Sequence, residues 1–161
     1  MICRSFDCRR GALTVEAAIV LPVVLFLILA LIIGGMGVFR YQQVACQARE
    51  AARWTSVRGS QWHLDTRQTS PTQDEILQNA VLPLAVGMDT TKISIQVEWI
   101  DEVTGKIVPW DSSRKSRRTL TKANQGVTAR VRVTVTYQWN PGVLVPGSLN
   151  LTSVSEMPMS Y

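Results

Sequence analysis

The stretch "RRGALTVEAAIVLPVVLFLILALIIGGMGVFR", residues 9–40, decides the fold: it holds 23 uncharged positions in a row, Ala17 to Phe39, with a carboxylate, Glu16, at their mouth. Wound as a helix at ~1.5 Å per residue, the run is roughly 34 Å long, enough to cross a ~30 Å hydrocarbon core with some tilt. Fifteen of these residues are Leu, Ile, Val or Phe. Together they favour insertion by about 5 to 9 kcal/mol, against roughly 3 kcal/mol for one charge even at mid-membrane. Ala17 to Phe39 therefore reads as transmembrane, with Glu16 at its edge. The other reading is a secretory signal peptide, cut after a small-x-small site such as Gly35-Met36-Gly37. The run is longer than the apolar core of about 7 to 15 residues that such a peptide carries.

Outside this run the chain has the composition of a soluble domain. Its 161 residues allow one modest domain beyond the N-terminal helix, which excludes a large multi-domain enzyme. The formal net charge is +5, and removal of Arg4, Asp7, Arg9 and Arg10 would leave +3. That excess is too mild to imply nucleic-acid binding. Basic residues flank the span on both sides, Arg4, Arg9 and Arg10 before it and Arg40, Arg49, Arg53 and Arg58 after it. The abutment of Arg9 and Arg10 on the apolar boundary, at the end of a very short tail, favours a cytoplasmic N-terminus.

The entry can also be read as a spacing. Gly11 precedes Ala12, and Glu16 is the fifth residue counted from Ala12. This order of short basic leader, Gly, Glu at the fifth position and apolar helix resembles the class III signal of type IV pilins and pseudopilins. Residues 9 to 59, with the "RRGALTVEAAIVLP" entry and the "QAREAARWTSVRG" exit, resemble the TadE-like family of the tight-adherence (Flp) pilus system and its close relative TadF. The resemblance implies a leader of residues 1–11, cut between Gly11 and Ala12 by a prepilin peptidase. It also implies a bacterial inner-membrane subunit with an extracytoplasmic C-terminal part, acting with other pseudopilin or pilus-assembly proteins. One departure is Ala17, where the family often has an aromatic residue after the glutamate.

Each piece has its own physical reading. Cleavage would create an α-amine on Ala12, one helical turn from Glu16 on the same face. The resemblance implies that Glu16 pairs with the amine of a neighbouring subunit, a contact that strengthens as both groups leave water. The alternative is that Glu16 simply anchors the helix start, favouring its positive end and reaching toward water. Pro22 removes the donor to the Ala18 carbonyl, which makes it either a flexible point for leaving the bilayer or an ordinary kink. Gly34, Gly35 and Gly37 offer a small patch for a close helix approach.

Beyond the span, helical spacing continues to about Val57, with Gly59 as the stop. It places Tyr41, Val44, Ala45, Ala48, Ala52 and Thr55 on one stripe, and Arg40, Gln43, Gln47, Glu50 and Arg53 mostly on the other. Residues 12–59 thus form a transmembrane and extended helix, and residues 60–161 a small extracytoplasmic domain. In that domain, Thr72 and Glu75 have capping-box spacing for a short helix to about Val86, which Pro83 shortens. Alternation predicts strands in "KISIQVEWI" and "VTARVRVTVTYQW", the latter with Val127, Ala129, Val131, Val133, Val135, Tyr137 and Trp139 inward. After a turn at Asn140-Pro141-Gly142, "SLNLTSVSEMPM" is a third strand. The fold class is α+β: a long N-terminal helix packed on a small antiparallel sheet of about three strands, plus one short helix.

Residues 101–126 are longer than a hairpin connection needs, with a ribbon expected around Thr104-Gly105. They contain Arg114, Lys115, Arg117, Arg118 and Lys122, read either as a contact loop for acidic headgroups, nucleic acid or an acidic partner, or as a solvated loop, which the lack of interleaved aromatics favours. The single histidine, His63, has neighbours "QWHLD" that form no nucleophile or metal spacing. No catalytic residue, metal site or cofactor is expected, and the chain reads as a non-enzyme. Cys3 and Cys8 fall in the leader, which leaves Cys46 as a packed helix residue or an intersubunit thiol. Two functions follow: a processed pseudopilin with the lipid bilayer, the peptidase and assembly proteins as partners, or an uncut single-pass envelope scaffold with no pilus role.

Overall fold

The computed structural model describes residues 5–58, 62, 66–100, 105–110, 119–120, 126–127, 129–142 and 147–159. They divide into two compact units, Met1–Phe39 and Arg40–Tyr161. The described residues of the first unit are helical: α1 runs from Ser5 to Ser56 and carries Pro22 within it. From Leu13 to Phe39 its side chains are exposed, apart from Leu29, Ile33 and Gly37, which are half-buried.

In the second unit the rest of α1 becomes a core element. Val44, Ala45, Gln47, Ala48, Ala51, Ala52, Thr55 and Ser56 are buried. The periodicity locates this stripe, with three corrections. Gln47 is fully buried rather than on the polar side, and its Nε2 donates to Met88 Sδ at 3.5 Å. It lies three residues after Val44 and four before Ala51, so position overrode polarity. Tyr41 has the angular position of the stripe yet is 47% exposed, because it lies a turn ahead of the first buried residues. Cys46 is exposed, not packed.

The end of α1 is satisfied by local side chains. Thr55 Oγ1 donates to the Ala51 carbonyl at 2.7 Å and Ser56 Oγ to the Arg53 carbonyl at 2.9 Å. Arg58 donates to the Trp54 carbonyl at 3.0 Å, with its guanidinium 3.6 Å from the centre of the Trp54 ring. A cation at this end also suits the helix dipole. Gly59, the expected stop, lies outside the described residues.

The short second helix, α2, starts as its sequence demands. Glu75 N–H donates to Thr72 Oγ1 at 3.2 Å and Thr72 N–H to Glu75 Oε2 at 2.8 Å, completing the capping box. An α-turn at Gln73–Ile76 widens to a π-turn over Leu77–Val81 and tightens to a 3-10 turn over Leu82–Leu84. Pro83 explains the change of winding: it has no N–H to give, and its ring would clash with the carbonyl four residues back in a regular helix. Ile76, Ala80 and Val81 face the core.

The sheet contains β1 (Ile93–Ile100), β2 (Ile107–Pro109), β5 (Arg130–Trp139) and β6 (Leu149–Pro158), in the spatial order β2-β1-β5-β6 and antiparallel throughout. The three expected strands are β1, β5 and β6; the fourth, β2, is the ribbon anticipated around Gly105, whose φ is +64°. Thr119–Leu120 (β3) and Gly126–Val127 (β4) pair as a separate ribbon. Val127 therefore belongs to that ribbon and not to β5.

Alternation along β5 buries Val131, Val133, Val135, Tyr137 and Trp139 on one side. On the other side Arg132 bridges three strands, 2.6 Å from Glu156 and 3.8 Å from Glu98, its direct register neighbours on β6 and β1. Trp110 N–H extends the β1–β2 ladder to the Val97 carbonyl at 2.9 Å, and its ring stacks on Trp99 at 4.2 Å and 9°. Its indole N–H donates to the Pro71 carbonyl at 2.7 Å, tying the segment before α2 to the sheet. Asn140 Oδ1 accepts from Gly142 N–H at 3.0 Å, an Asx-type turn at the expected place.

Two expectations follow for the full chain in detergent micelles. Val133→Ala, fully buried on a central strand, should lower unfolding free energy by about 2 kcal/mol, while half-exposed Thr134→Ala changes it by less than about 0.5. Asp89 caps the 3-10 turn Thr90–Lys92; hydrogen bonds from the Thr91 hydroxyl (2.7 Å) and backbone (3.1 Å), and Lys92 at 3.4 Å, hold its carboxyl below the usual carboxylate range. A depressed folded pKa contributes stability above the unfolded value and loses it as pH falls through the folded one. Asp89→Ala should therefore flatten the acid limb of the melting temperature below about pH 4, with little change in its slope above.

Candidate functional site

The sequence directs attention to the start of α1. The helix covers Ser5 to Ser56, so the Gly11–Ala12 bond lies inside it. Gly11 is exposed, and a Cβ placed there would meet nothing within 4 Å. Glycine in a helix interior costs about 1 kcal/mol relative to alanine, so this is the turn of the entry least committed to helix by its own residue. Glu16 lies one turn beyond Ala12 and is exposed. It makes no ion pair among the described residues.

Pro22 stays within the helix. With Thr14, Ala17, Ala18, Leu21 and Leu25 it lines a shallow apolar groove along the helix surface. The small Ala17 and Ala18 side chains open this groove, and Pro22 frees the carbonyl of Ala18 from its usual helical donor. Gly11, Glu16 and Pro22 thus share one element and follow one another along the entry of the apolar run. Gly34 and Gly35 are exposed near its far end, with open space where a Cβ would stand.

The helix from Leu13 onward is long and apolar enough to cross a membrane, and its most apolar part is not buried by the protein. An exposed, uninterrupted apolar surface of this length has no stable place in water.

Arg114, Lys115, Arg117, Arg118 and Lys122 lie outside the described residues, as does His63; the segment around the basic cluster contributes the β3–β4 ribbon. Among the described residues no group of His, Cys, Asp and Glu has the spacing to hold a metal ion.

The sequence reading missed one constellation. Arg40, the first charged residue after the apolar run, donates from Nη1 to Gln43 Oε1 at 2.8 Å and to the Val86 carbonyl at 3.2 Å. Gln43 Nε2 donates to the same carbonyl at 3.2 Å. The available signal was the charge-free run "ILQNAVLPLAVGM", residues 76–88, which is longer than the buried face of α2 requires.

Comparison with known proteins identifies the same segment. The family model described as TadE-like protein matches residues 11–53, from the glycine of the entry to the buried part of α1. Searches of curated proteins and of solved structures find no match. The match covers the exposed apolar helix together with Gly11, Glu16 and Pro22, and this N-terminal region, residues 11–53, is TadE-like.

Proposed function

We propose that this chain is a minor pseudopilin-like, membrane-anchored component of a tight-adherence (Flp-type) pilus assembly or secretion system. The TadE-like family is a pilus-assembly component and not known as an enzyme family, and its members act with other assembly proteins. The observation that carries the reading is the placement of Gly11 and Glu16 at the mouth of an exposed apolar helix, inside the TadE-like match.

In this reading a prepilin peptidase cuts between Gly11 and Ala12 at the cytoplasmic face. Residues 1–11 stay behind as the basic leader. Ala17 to Phe39 span the inner membrane, and the sheet domain lies on the periplasmic side. The cut converts the amide nitrogen of Ala12 to an amine that is protonated at neutral pH. A positive charge at a helix N-terminus opposes the dipole. Glu16, one turn on, offsets it within the chain or pairs with the amine of a second subunit. In the edge region, where the effective dielectric is lower than water, such a pair at 4 Å is attractive by up to about 4 kcal/mol before desolvation. Pro22 loosens the helix just beyond, where the subunit would change from lipid to protein neighbours.

The uncut scaffold reading draws support from one observation: α1 is helical through the Gly11–Ala12 bond, whereas a peptidase acts on an extended chain.

The intact mass of protein extracted from membranes of cells with an active prepilin peptidase separates the two. The expected species lacks residues 1–11, and Gly11→Val retains them. Recovery of the full-length chain from wild-type cells would sink the processing step. Glu16→Gln should still be cut, but with surface piliation reduced about tenfold, the equivalent of about 1.4 kcal/mol lost from one assembly contact.

A further inference from the structure

We infer that the turn at Leu84–Met88 is a second membrane contact, by which the sheet domain docks on the lipid interface where α1 leaves the bilayer. The inference rests on the membrane anchorage proposed above and adds a lipid-facing surface to the folded domain itself.

Residues 76–88 carry no charge. Five residues of that run are accounted for by the core, since Ile76, Ala80, Val81, Ala85 and Met88 are buried. Its far end is apolar and uncovered: Pro83 is exposed, Leu84 is 37% exposed and Val86 74%. Met88 N–H donates to the Ala85 carbonyl at 3.1 Å, and Gly87 has φ +68°, the left-handed position that a type II turn requires at its third residue. Val86 is therefore the second residue of the turn, held outward at its tip by a backbone that cannot fold it back. A lone exposed valine needs no explanation. Its position does.

The tip is fixed beside Arg40. The Val86 carbonyl accepts from both Arg40 Nη1 and Gln43 Nε2 at 3.2 Å, and a Cβ on Gly87 would stand 3.6 Å from the Arg40 guanidinium. Arg40 is the first charged residue after the apolar run and so marks the level of the headgroups. An arginine there normally extends its side chain to water or phosphate. This one is engaged with the turn, which brings the apolar tip to its level. Tyr41 supplies the second sign, since it occupies the angular position of the buried stripe and is uncovered, as an interfacial aromatic would be. Asp89 and Lys92, the charges that follow, pair with each other at 3.4 Å. Pro83, Leu84 and Val86 thus present an exposed apolar surface on the turn that Arg40 holds. The occupant that fits is the interfacial zone of the same bilayer.

The test uses the full chain with Cys3, Cys8 and Cys46 replaced by serine, reconstituted in phosphatidylethanolamine and phosphatidylglycerol vesicles. Single Leu27→Cys, Leu84→Cys, Val86→Cys and Arg53→Cys variants are labelled with an environment-sensitive fluorophore. Arg53 is exposed and lies about 20 Å further along α1 than Arg40, so its label reports water. Nitroxide-bearing lipids, with the nitroxide either near the headgroup or deep in the acyl chain, are the quenchers. The expected result is loss of most emission at Leu27 to the deep nitroxide and at Leu84 and Val86 to the shallow one, with blue-shifted spectra, while Arg53 is unaffected. Leu84 and Val86 labels that behave like the Arg53 label, with Leu27 quenched, would overturn the docking contact and leave the anchor intact. An unquenched Leu27 label would overturn the anchor, and the docking contact with it.

Discussion

The buried stripe of α1 between Val44 and Ser56 is the constraint on which the folded unit depends. Its four alanines, Ala45, Ala48, Ala51 and Ala52, are buried to 8% exposure or less, and none carries a side chain long enough to hold a neighbour at a distance. A helix with so small a face gains little from each methyl, about 0.8 kcal/mol per buried carbon. The sheet supplies the bulk: Val131, Val133, Val135, Tyr137 and Trp139 of β5 and Ile93, Val97 and Trp99 of β1 are its buried face. Small residues on the helix and large ones on the strands are buried within the same compact unit.

On the proposed membrane reading, the same helix answers to a different solvent before Phe39. Isolated helices of fewer than about 12 to 15 residues are marginal in water because nucleation is costly. Inside hydrocarbon, unpaired backbone groups are costlier still, so a spanning segment has no alternative to helix. On the proposed membrane reading, the apolar run supplies the nucleus and the Arg40–Ser56 portion only has to propagate it. That division accounts for a modest helix-forming stretch, with Thr55, Ser56 and aromatic Trp54 near its end, remaining helical until its carbonyls are taken by Thr55, Ser56 and Arg58.

What was legible in the sequence follows from where periodicity was unopposed. In β1 and β5 the apolar and polar residues alternate almost without exception, and both strands lie where alternation puts them. The capping box of α2 was legible because Thr72 and Glu75 satisfy each other locally. Gln47 was misread because its polarity outweighed its position, and only the tertiary fold reveals that Met88 closes over it. The π-turn at Leu77–Val81 was beyond a 3.6-residue pattern, although Pro83 announced some distortion. The Arg40–Val86 contact joins residues 46 apart, and no local spacing encodes such a pair. Of the candidate site, Gly11, Glu16 and Pro22 were readable because their relation is contained within one helix.

The helical state of the Gly11–Ala12 bond bears on whether that site is a site at all. Cleavage requires the chain around the bond to extend, and the cost is that of opening α1 from its N-terminal side, not of breaking it in the middle. Helix termini fray with free energies near zero, and the first four N–H groups have no helical partner to lose. From Ser5, the first described residue of α1, unwinding through Ala12 consumes about two turns, and Gly11 lowers the helical preference of the last of them by about 1 kcal/mol. In a membrane the next residues oppose further opening, since Leu13, Val15 and the run from Ala17 would then carry unpaired amides into an apolar medium. Opening is therefore inexpensive up to Ala12 and steeply unfavourable beyond it. A peptidase at the membrane face would meet its scissile bond at that step, with Glu16 on the side that stays helical.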